Sequence, residues 1–396
     1  MVTVDEAKRR VLTHTRTLSA EKRTVLNAVG YVLSENVLAG FSLPSFRQSS
    51  MDGYAVLHTD IIHADVVLPI AGESKAGKAE KVSMKPGTAF RIFTGAPVPD
   101  GATAVVMQEN TSVANGNVTI GEYPVPENKN LRNIGQQIRE GDIALPSGTF
   151  ISAGTAGFLK GLNIDEIPVF RKPKIGILVT GDELVKTGET LSHGQVYESN
   201  SSMLVAALKQ EGITDVEIYY SEDDLSATVQ SLLTLSERND VVIATGGVSV
   251  GDYDYVGKAL ETIGAETIFY KIRQKPGKPL LFARTENTNF YALPGNPASS
   301  LVCYYEYVLP ALRLMSGRKE CFLPAYQLPI SHAYSFRGER DEFLKAFVSN
   351  GKVTSLEGQE SFALRSFAIA NALIYLPVSQ QTVQAGDMVE VHLLPF

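Results

Sequence analysis

Five apolar runs of strand character in this chain are each followed directly by glycine, acidic, hydroxyl or lysine residues. Gly181-Asp182-Glu183 follow "GILVT", and Ser221-Glu222-Asp223-Asp224 follow "EIYY". Gly246, Gly247 and Ser249, with Asp252 and Asp254 beyond, follow "VVIAT". Lys275-Pro276-Gly277-Lys278-Pro279 follow "IFYKIRQ", and Pro294-Gly295-Asn296-Pro297 follow "FYAL". In an open α/β sheet, ligands bind beyond the carboxyl ends of the strands, so all five groups are expected on one rim. Glycines let the backbone approach a phosphate. Carboxylates repel phosphate unless a cation stands between them. Convergent acids beside lysines therefore suit a divalent cation that bridges phosphate oxygens. Singly, each piece has a plainer reading: Gly-Asp as a turn, Asp252 as a helix-dipole acid, Ser249 as an N-cap. Lys-Pro-Gly-Lys-Pro alone reads as a rigid exposed loop. The conjunction is what points to a site. Asp52 in "SMDGYAV" and Thr94 in "RIFTGAPVPDGATAVV" lie in glycine turns elsewhere. They join the rim only if their segment faces it, from this chain or from a partner.

The elements that must position these residues follow from periodicity. From about 170, strand-like runs and amphipathic helical runs alternate, which predicts a parallel sheet covered on both faces. From about 56 to 127, short β-type runs separated by Gly and Pro predict a small all-β domain. Residues 4–39 read as mostly helix, with an apolar stripe at Val25, Ala28, Val29, Val32 and Leu33 and Ser19 as a candidate N-cap. From about 322 the β-type pattern returns. The chain has 396 residues, which predicts two to four domains, and its 44% hydrophobic content is that of a globular protein. A net charge of −7 argues against nucleic acid as a partner. No apolar run approaches ~18 residues, so no membrane span is predicted. The N-terminus lacks the apolar core of a signal peptide, and a cytoplasmic location is expected. Cys303 and Cys321 form no CxxC pair and read as free thiols; six scattered histidines make no zinc motif.

Six stretches, "PSFRQSSMDGYAV", "PGTAFRIFTGAPVPDGATAVV", "GILVTGDEL", "ATGGVSVGDYD", "KPGKPL" and "LPGNPASS", resemble in this order the motifs of the molybdopterin molybdenumtransferases. That family includes bacterial MoeA-type proteins and the C-terminal domain of gephyrin. The resemblance runs from about residue 4 to the C-terminus. It implies an elongated α/β plus β protein with four parts. These are residues 1–45 plus 130–170, a β domain at 46–129, a three-layer α/β molybdopterin-binding domain at 171–320, and a C-terminal β barrel at 321–396. It also implies a homodimer whose site forms between the α/β domain of one chain and the β domain of the other. The implied reaction is Mg²⁺-dependent: adenylylated molybdopterin loses AMP and takes molybdenum from molybdate, giving molybdenum cofactor. A molybdopterin adenylyltransferase upstream and apo molybdoenzymes downstream are the implied partners.

The family's functional acids fall on Asp52, Glu183, Asp223 and Asp254, and its motif threonine on Thr94; Glu183, Asp223 and Asp254 are the implied metal ligands. Its binding residues fall on Lys271, Lys275, Lys278, Pro294, Pro297 and Ser361, with the loop Gly246, Gly247 and Ser249. Two departures stand out. Gln137 occupies the usual position of an Asp, in a stretch where Arg132 and Gly135 align, and Lys345 occupies that of an Arg. Gln supplies no carboxylate to a cation, and Lys lacks bidentate reach. Asp142 replaces Gln137 only if the loop register shifts. Three other readings are consistent with parts of the chain: a scaffold of the same fold, an adenylyltransferase, and a generic metal-dependent phosphohydrolase. The retained charge cluster disfavours the first. The Gly-Gly-Val-Ser loop and the extra domains disfavour the second. A substrate screen separates the third.

Overall fold

A computed structural model describes residues 1–77, 81–246 and 255–395. The chain divides into two compact units: 1–35 with 148–155 and 166–396, and 36–147 with 156–165.

In the first unit, a six-stranded sheet runs in the order Val216–Ser221, Ile175–Thr180, Val241–Thr245, Asn289–Leu293, Leu281–Arg284, Glu266–Tyr270. Period-two alternation sends its apolar side chains to opposite faces. Ile175, Ile177, Val179, Val241 and Ile243 join one buried cluster with Leu204 and Leu208 of the helix Asn200–Gln210. Leu178, Val242 and Ala244 join another with Leu232 of Leu225–Ser236 and Leu260 of Tyr255–Thr262. Burying each such Leu, Ile or Val contributes about 1.5–3 kcal/mol. The expectation of a wholly parallel sheet is corrected at one strand. Leu281–Arg284 runs antiparallel to both neighbours. Its link to Asn289–Leu293 is closed by Thr285 N donating to Thr288 O at 2.9 Å, too short a connection for a crossover helix.

The expected helix over 4–39 is also corrected. Only Val4–Thr13 is α-helical there, N-capped by Thr3, whose hydroxyl accepts from Glu6 N. Ala20–Thr24 is a strand paired antiparallel to Glu166–Phe170. Val25, Ala28, Val32 and Leu33 are indeed buried, but Val25 and Ala28 lie on turns, Val32 and Leu33 form isolated β-bridges to Phe150 and Val169, and Val29 is 49% exposed. Ser19 caps nothing; its carbonyl accepts from Arg171 N. The strand Asp341–Ser349 anchors a second sheet with Ala372–Leu376, Met388–Leu393, Ala325–Pro329 and Lys352–Ser355, which the short strand Gln274–Lys275 joins in parallel.

The second unit carries a six-stranded sheet in the order Ala104–Met107, Gly53–Val56, Ala89–Ile92, Val66–Ser74, Asn117–Ile120, Thr111–Ala114. Gly53 is required by close approach, since a Cβ there would lie 1.9 Å from Val106 O. Among the described residues, no helix is long and apolar enough to cross a membrane. Cys303 and Cys321 are both free and buried.

Candidate functional site

A cleft of about 570 Å³ opens at the carboxyl ends of the parallel strands of the first unit. Thr180 ends one strand and Thr245 its neighbour, and both line the cleft. Gly246 follows at φ +86, where a Cβ would lie 2.4 Å from Thr180 O. Only glycine lets the chain turn away from the sheet at that point. Glu183, Pro294, Gly295 and Pro297 line the same cleft. Four of the expected site residues, Glu183, Gly246, Pro294 and Pro297, are thus brought together. Gly247, Ser249 and Asp254 lie outside the described residues.

Asp223 sits in the turn after Val216–Ser221. Burial raises its carboxyl above the usual range, and the charges of Asp182, Glu183 and Asp224 push the same way. Its Oδ1 is buried with no hydrogen-bond partner. Asp224 differs: its Oδ1 accepts from Ala227 N at 3.0 Å and caps the following helix. Among the described residues, no group of three or more His, Cys, Asp or Glu is assembled to hold a metal ion.

The lysines divide into three situations. Lys275 is exposed, and its Nζ lies 2.9 Å from Glu342 Oε1, a carboxylate that is itself nearly fully buried. Its strand is pinned by Gln274, which is fully buried, donates to Pro276 O and accepts from the Tyr307 hydroxyl. Lys271 and Lys278 sit on a loop closed by Lys271 N to Leu280 O and Ile272 N to Lys278 O. Lys271 lies over the Tyr270 ring. Neither lysine lines the cleft, where Pro279 stands instead. Lys345 is 2% exposed and donates to Gly358 O, Glu360 O and Ala363 O. An ammonium has three N–H donors, so all are used. Lys345, expected among the binding residues, is here the strut of the loop 358–363. That loop carries Ser361, whose carbonyl accepts from Ala298 N and Ser299 N and whose hydroxyl accepts from Asn296 at 2.8 Å. Ser361 is thereby fixed beside Pro297 at the cleft edge.

In the second unit, Asp52 and Thr94 meet directly. Asp52 Oδ1 accepts from Thr94 N at 2.7 Å and from Thr94 Oγ1 at 2.8 Å. These two bonds, backbone first, hold the Asp52 carboxyl below the usual range. The turns carrying them are tied by Gly95 N to Ser49 O and Ser49 N to Ala96 O. Gln137 lines a separate cleft of about 400 Å³ with Arg132 and Gln136. Asp142 is not among its lining residues; its carboxylate accepts from Arg139 N within its own turn.

Sequence reasoning missed Thr180, Thr245 and Asn200. Thr180 and Thr245 stand inside two of the motif stretches, but a threonine or asparagine side chain by type alone did not single any of the three out. What marks them is that each buries a side-chain oxygen with no partner.

Fold and site define a multidomain protein of mixed α/β content whose ligand cleft lies at the strand ends of a doubly covered sheet. Models of three families match in succession: "MoeA N-terminal region (domain I and II)" over residues 2–162, "Probable molybdopterin binding domain" over 176–314, and "MoeA C-terminal region (domain IV)" over 327–394. A Haemophilus influenzae molybdopterin molybdenumtransferase is 33% identical, covering 100% of both chains. Molybdopterin molybdenumtransferase 2 of Mycobacterium tuberculosis is 35% identical over 92% of each. The molybdopterin biosynthesis MoeA protein of Pyrococcus horikoshii OT3 superposes with a TM-score of 0.86 at 27% identity, covering 100% of both chains. The chain belongs to the molybdopterin molybdenumtransferases, a family of transferases.

Proposed function

We propose that this chain completes the molybdenum cofactor by taking adenylylated molybdopterin and molybdate, releasing AMP, and placing molybdenum on the dithiolene sulfurs. The observation that carries this reading is the strand-end cleft holding Glu183, Gly246, Pro294 and Pro297 in a chain whose whole length matches transferases of that name. The residues present suit Mg²⁺: Asp223 keeps a buried, unpartnered oxygen beside other acids, and a divalent cation would relieve their mutual repulsion. Glu183 and Asp223 would hold it, with Asp254 as the third acid. When bound, Mg²⁺ supplies positive charge to the pyrophosphate link.

The chain's own groups do the rest. Lys275, with Lys271 and Lys278, attracts the phosphates and molybdate. Ser361 and the backbone around Pro294 and Pro297 orient the oxyanion. Lys345 acts by holding that loop in place. Asp52 and Thr94 belong to the same reaction through a homodimer in which one chain completes the site of the other. The working protein is cytoplasmic and built of residues 1–45 with 130–170, 46–129, 171–320 and a C-terminal barrel at 321–396. It receives its substrate from an adenylyltransferase and serves apo molybdoenzymes.

The test is reconstitution of an apo molybdoenzyme from adenylylated molybdopterin, Mg²⁺ and molybdate. Activity is expected with all three and not without Mg²⁺; reconstitution that never exceeds a protein-free control would leave the scaffold reading in its place. Mixing Asp52→Ala with Asp223→Ala, each inactive alone, is expected to restore activity through mixed dimers. Gln137→Asp in the same assay shows whether the departure at 137 limits turnover.

A further inference from the structure

Five threonines are buried among the described residues: Thr15, Thr180, Thr228, Thr245 and Thr288. Three are satisfied by backbone carbonyls. Thr15 donates to Val11 O at 2.7 Å, Thr228 to Asp224 O at 2.6 Å, and Thr288 to Asn239 O at 3.0 Å. The other two, Thr180 and Thr245, are 2% and 1% exposed, and their hydroxyls have no partner among the described residues. Both line the strand-end cleft. A third cleft residue, Asn200, completes the pattern. Its Nδ2 donates to Gly295 O at 2.8 Å, which fixes the amide, while its Oδ1 is buried and unpartnered. Buried polar atoms without partners are rare, because the desolvation they suffer is not repaid. Here three of them gather on the wall of one cavity, where a ligand can supply the missing bonds.

We propose that Thr180, Thr245 and Asn200 form the recognition wall for the hydrogen-bonding edge of a pterin, an assignment that rests on the molybdopterin reading above. A pterin edge alternates N–H donors with a carbonyl and ring nitrogens. Two hydroxyls that donate or accept, beside an amide oxygen that only accepts, complement that edge. The adjoining surface suits a flat ring. A Cβ on Gly295 would lie only 3.7 Å from Gly246 Cα, so two residues without side chains meet there. Phe362, 67% exposed, stands on the cleft lining as a stacking face. Thr180, Thr245 and Asn200 thus determine which heterocycle enters and position it for the chemistry at the acids.

The assignment makes a prediction that a structural role would not. Thr180→Val and Thr245→Val keep the side-chain shape and remove only the unsatisfied hydroxyl. Their melting temperatures should equal or exceed that of the wild type, while affinity for pterin falls. Because the chain has no tryptophan, pterin fluorescence can be titrated against a clean background. Each valine variant is expected to raise the Kd for pterin about five- to tenfold. Lumazine, which carries a carbonyl in place of the 2-amino group, is expected to bind the wild type at least tenfold more weakly than pterin, and Asn200→Ala should erase most of that preference. AMP affinity should be unchanged in all three variants. If the valine variants bind pterin as tightly as the wild type, or lose AMP instead, the recognition wall is overturned while the molybdopterin reading stands. If the wild type itself binds no pterin, that reading falls and takes the wall with it.

Discussion

Asp52 and Asp223 are both turn acids assigned to one reaction, but the two units hold them in opposite conditions. Asp52 is met by the backbone N–H and hydroxyl of Thr94, and its carboxyl is held below the usual range. Asp223 is pushed above that range by burial and by Asp182, Glu183 and Asp224, with one oxygen unpartnered. Asp52 is a finished anion in the free protein. Asp223 is an unfinished one, with a buried oxygen that has no hydrogen-bond partner. The same contrast runs through the strand-end cleft, where Thr180, Thr245 and Asn200 keep unused polar atoms.

The contrast breaks most sharply at Asp223. Asp223→Ala should lower the rate of AMP release by about a thousandfold, the range for loss of a group that positions charge in the transition state. Thermal unfolding of the same variant should show no loss of stability, because like-charge repulsion has been removed. A stable variant with normal turnover would remove Asp223 from the site.

Lys345 is the opposite case, a cation whose donors are all spent. Lys345→Met leaves the carbonyls of Gly358, Glu360 and Ala363 without their donor and should cost about 3 kcal/mol in denaturant unfolding. Molybdate affinity should fall with it, since Ser361 rides on that loop. Unchanged stability would return Lys345 to the cleft as a direct ligand.

A third acid sharpens the comparison because it is buried yet fully paired. Glu306 is 2% exposed, with Lys8 Nζ and His392 Nδ1 both at 2.7 Å. Burial alone would raise its carboxyl, but Lys8 and His392 outweigh that and bring it to about 2. In the same way, burial would lower His392, but Glu306 and then Glu390 outweigh it and raise it to about 8 from 6.5. A raised histidine stabilises fully below pH ~6.5 and loses that contribution as pH rises through about 8. The loss should be about 2 kcal/mol between pH 6 and 9, measured by denaturant titration, and it should disappear in His392→Gln.

The smallest effect is expected at the finished anion. Thr94→Val removes one of the two bonds that lower Asp52, so its carboxyl should move back toward the ordinary value. The acid limb of the pH–rate profile should shift to higher pH, with turnover at neutral pH reduced by less than about tenfold. An unshifted limb would show that Asp52 does not set it.

Much of the sheet at the site was legible in the sequence. Runs such as Ile175–Thr180 and Val241–Thr245 are wholly buried, and burial on both faces leaves an unbroken apolar signature. The segment around Val25–Leu33 was misread because its apolar spacing satisfies a helical stripe. The strand Glu166–Phe170 that pairs with the preceding Ala20–Thr24 and bridges Leu33 lies about 140 residues away, where no local pattern reaches. The reversal of Leu281–Arg284 turned on a hairpin that length alone could have signalled. Within the cleft lining, residue type pointed to Glu183, and glycine to Gly246. Type was silent on Thr180, Thr245 and Asn200, because an unmet hydrogen bond is a property of the packed structure. It was misleading for Lys345, whose charge is read by the loop it supports.

The decisive measurement is AMP release from adenylylated molybdopterin, followed in time with molybdate present and Mg²⁺ varied. Release is expected to rise with Mg²⁺ and saturate in the wild type, and to stay at background in Asp223→Ala at every Mg²⁺ concentration. Release at the wild-type rate without Mg²⁺, or undiminished in Asp223→Ala, would contradict that expectation.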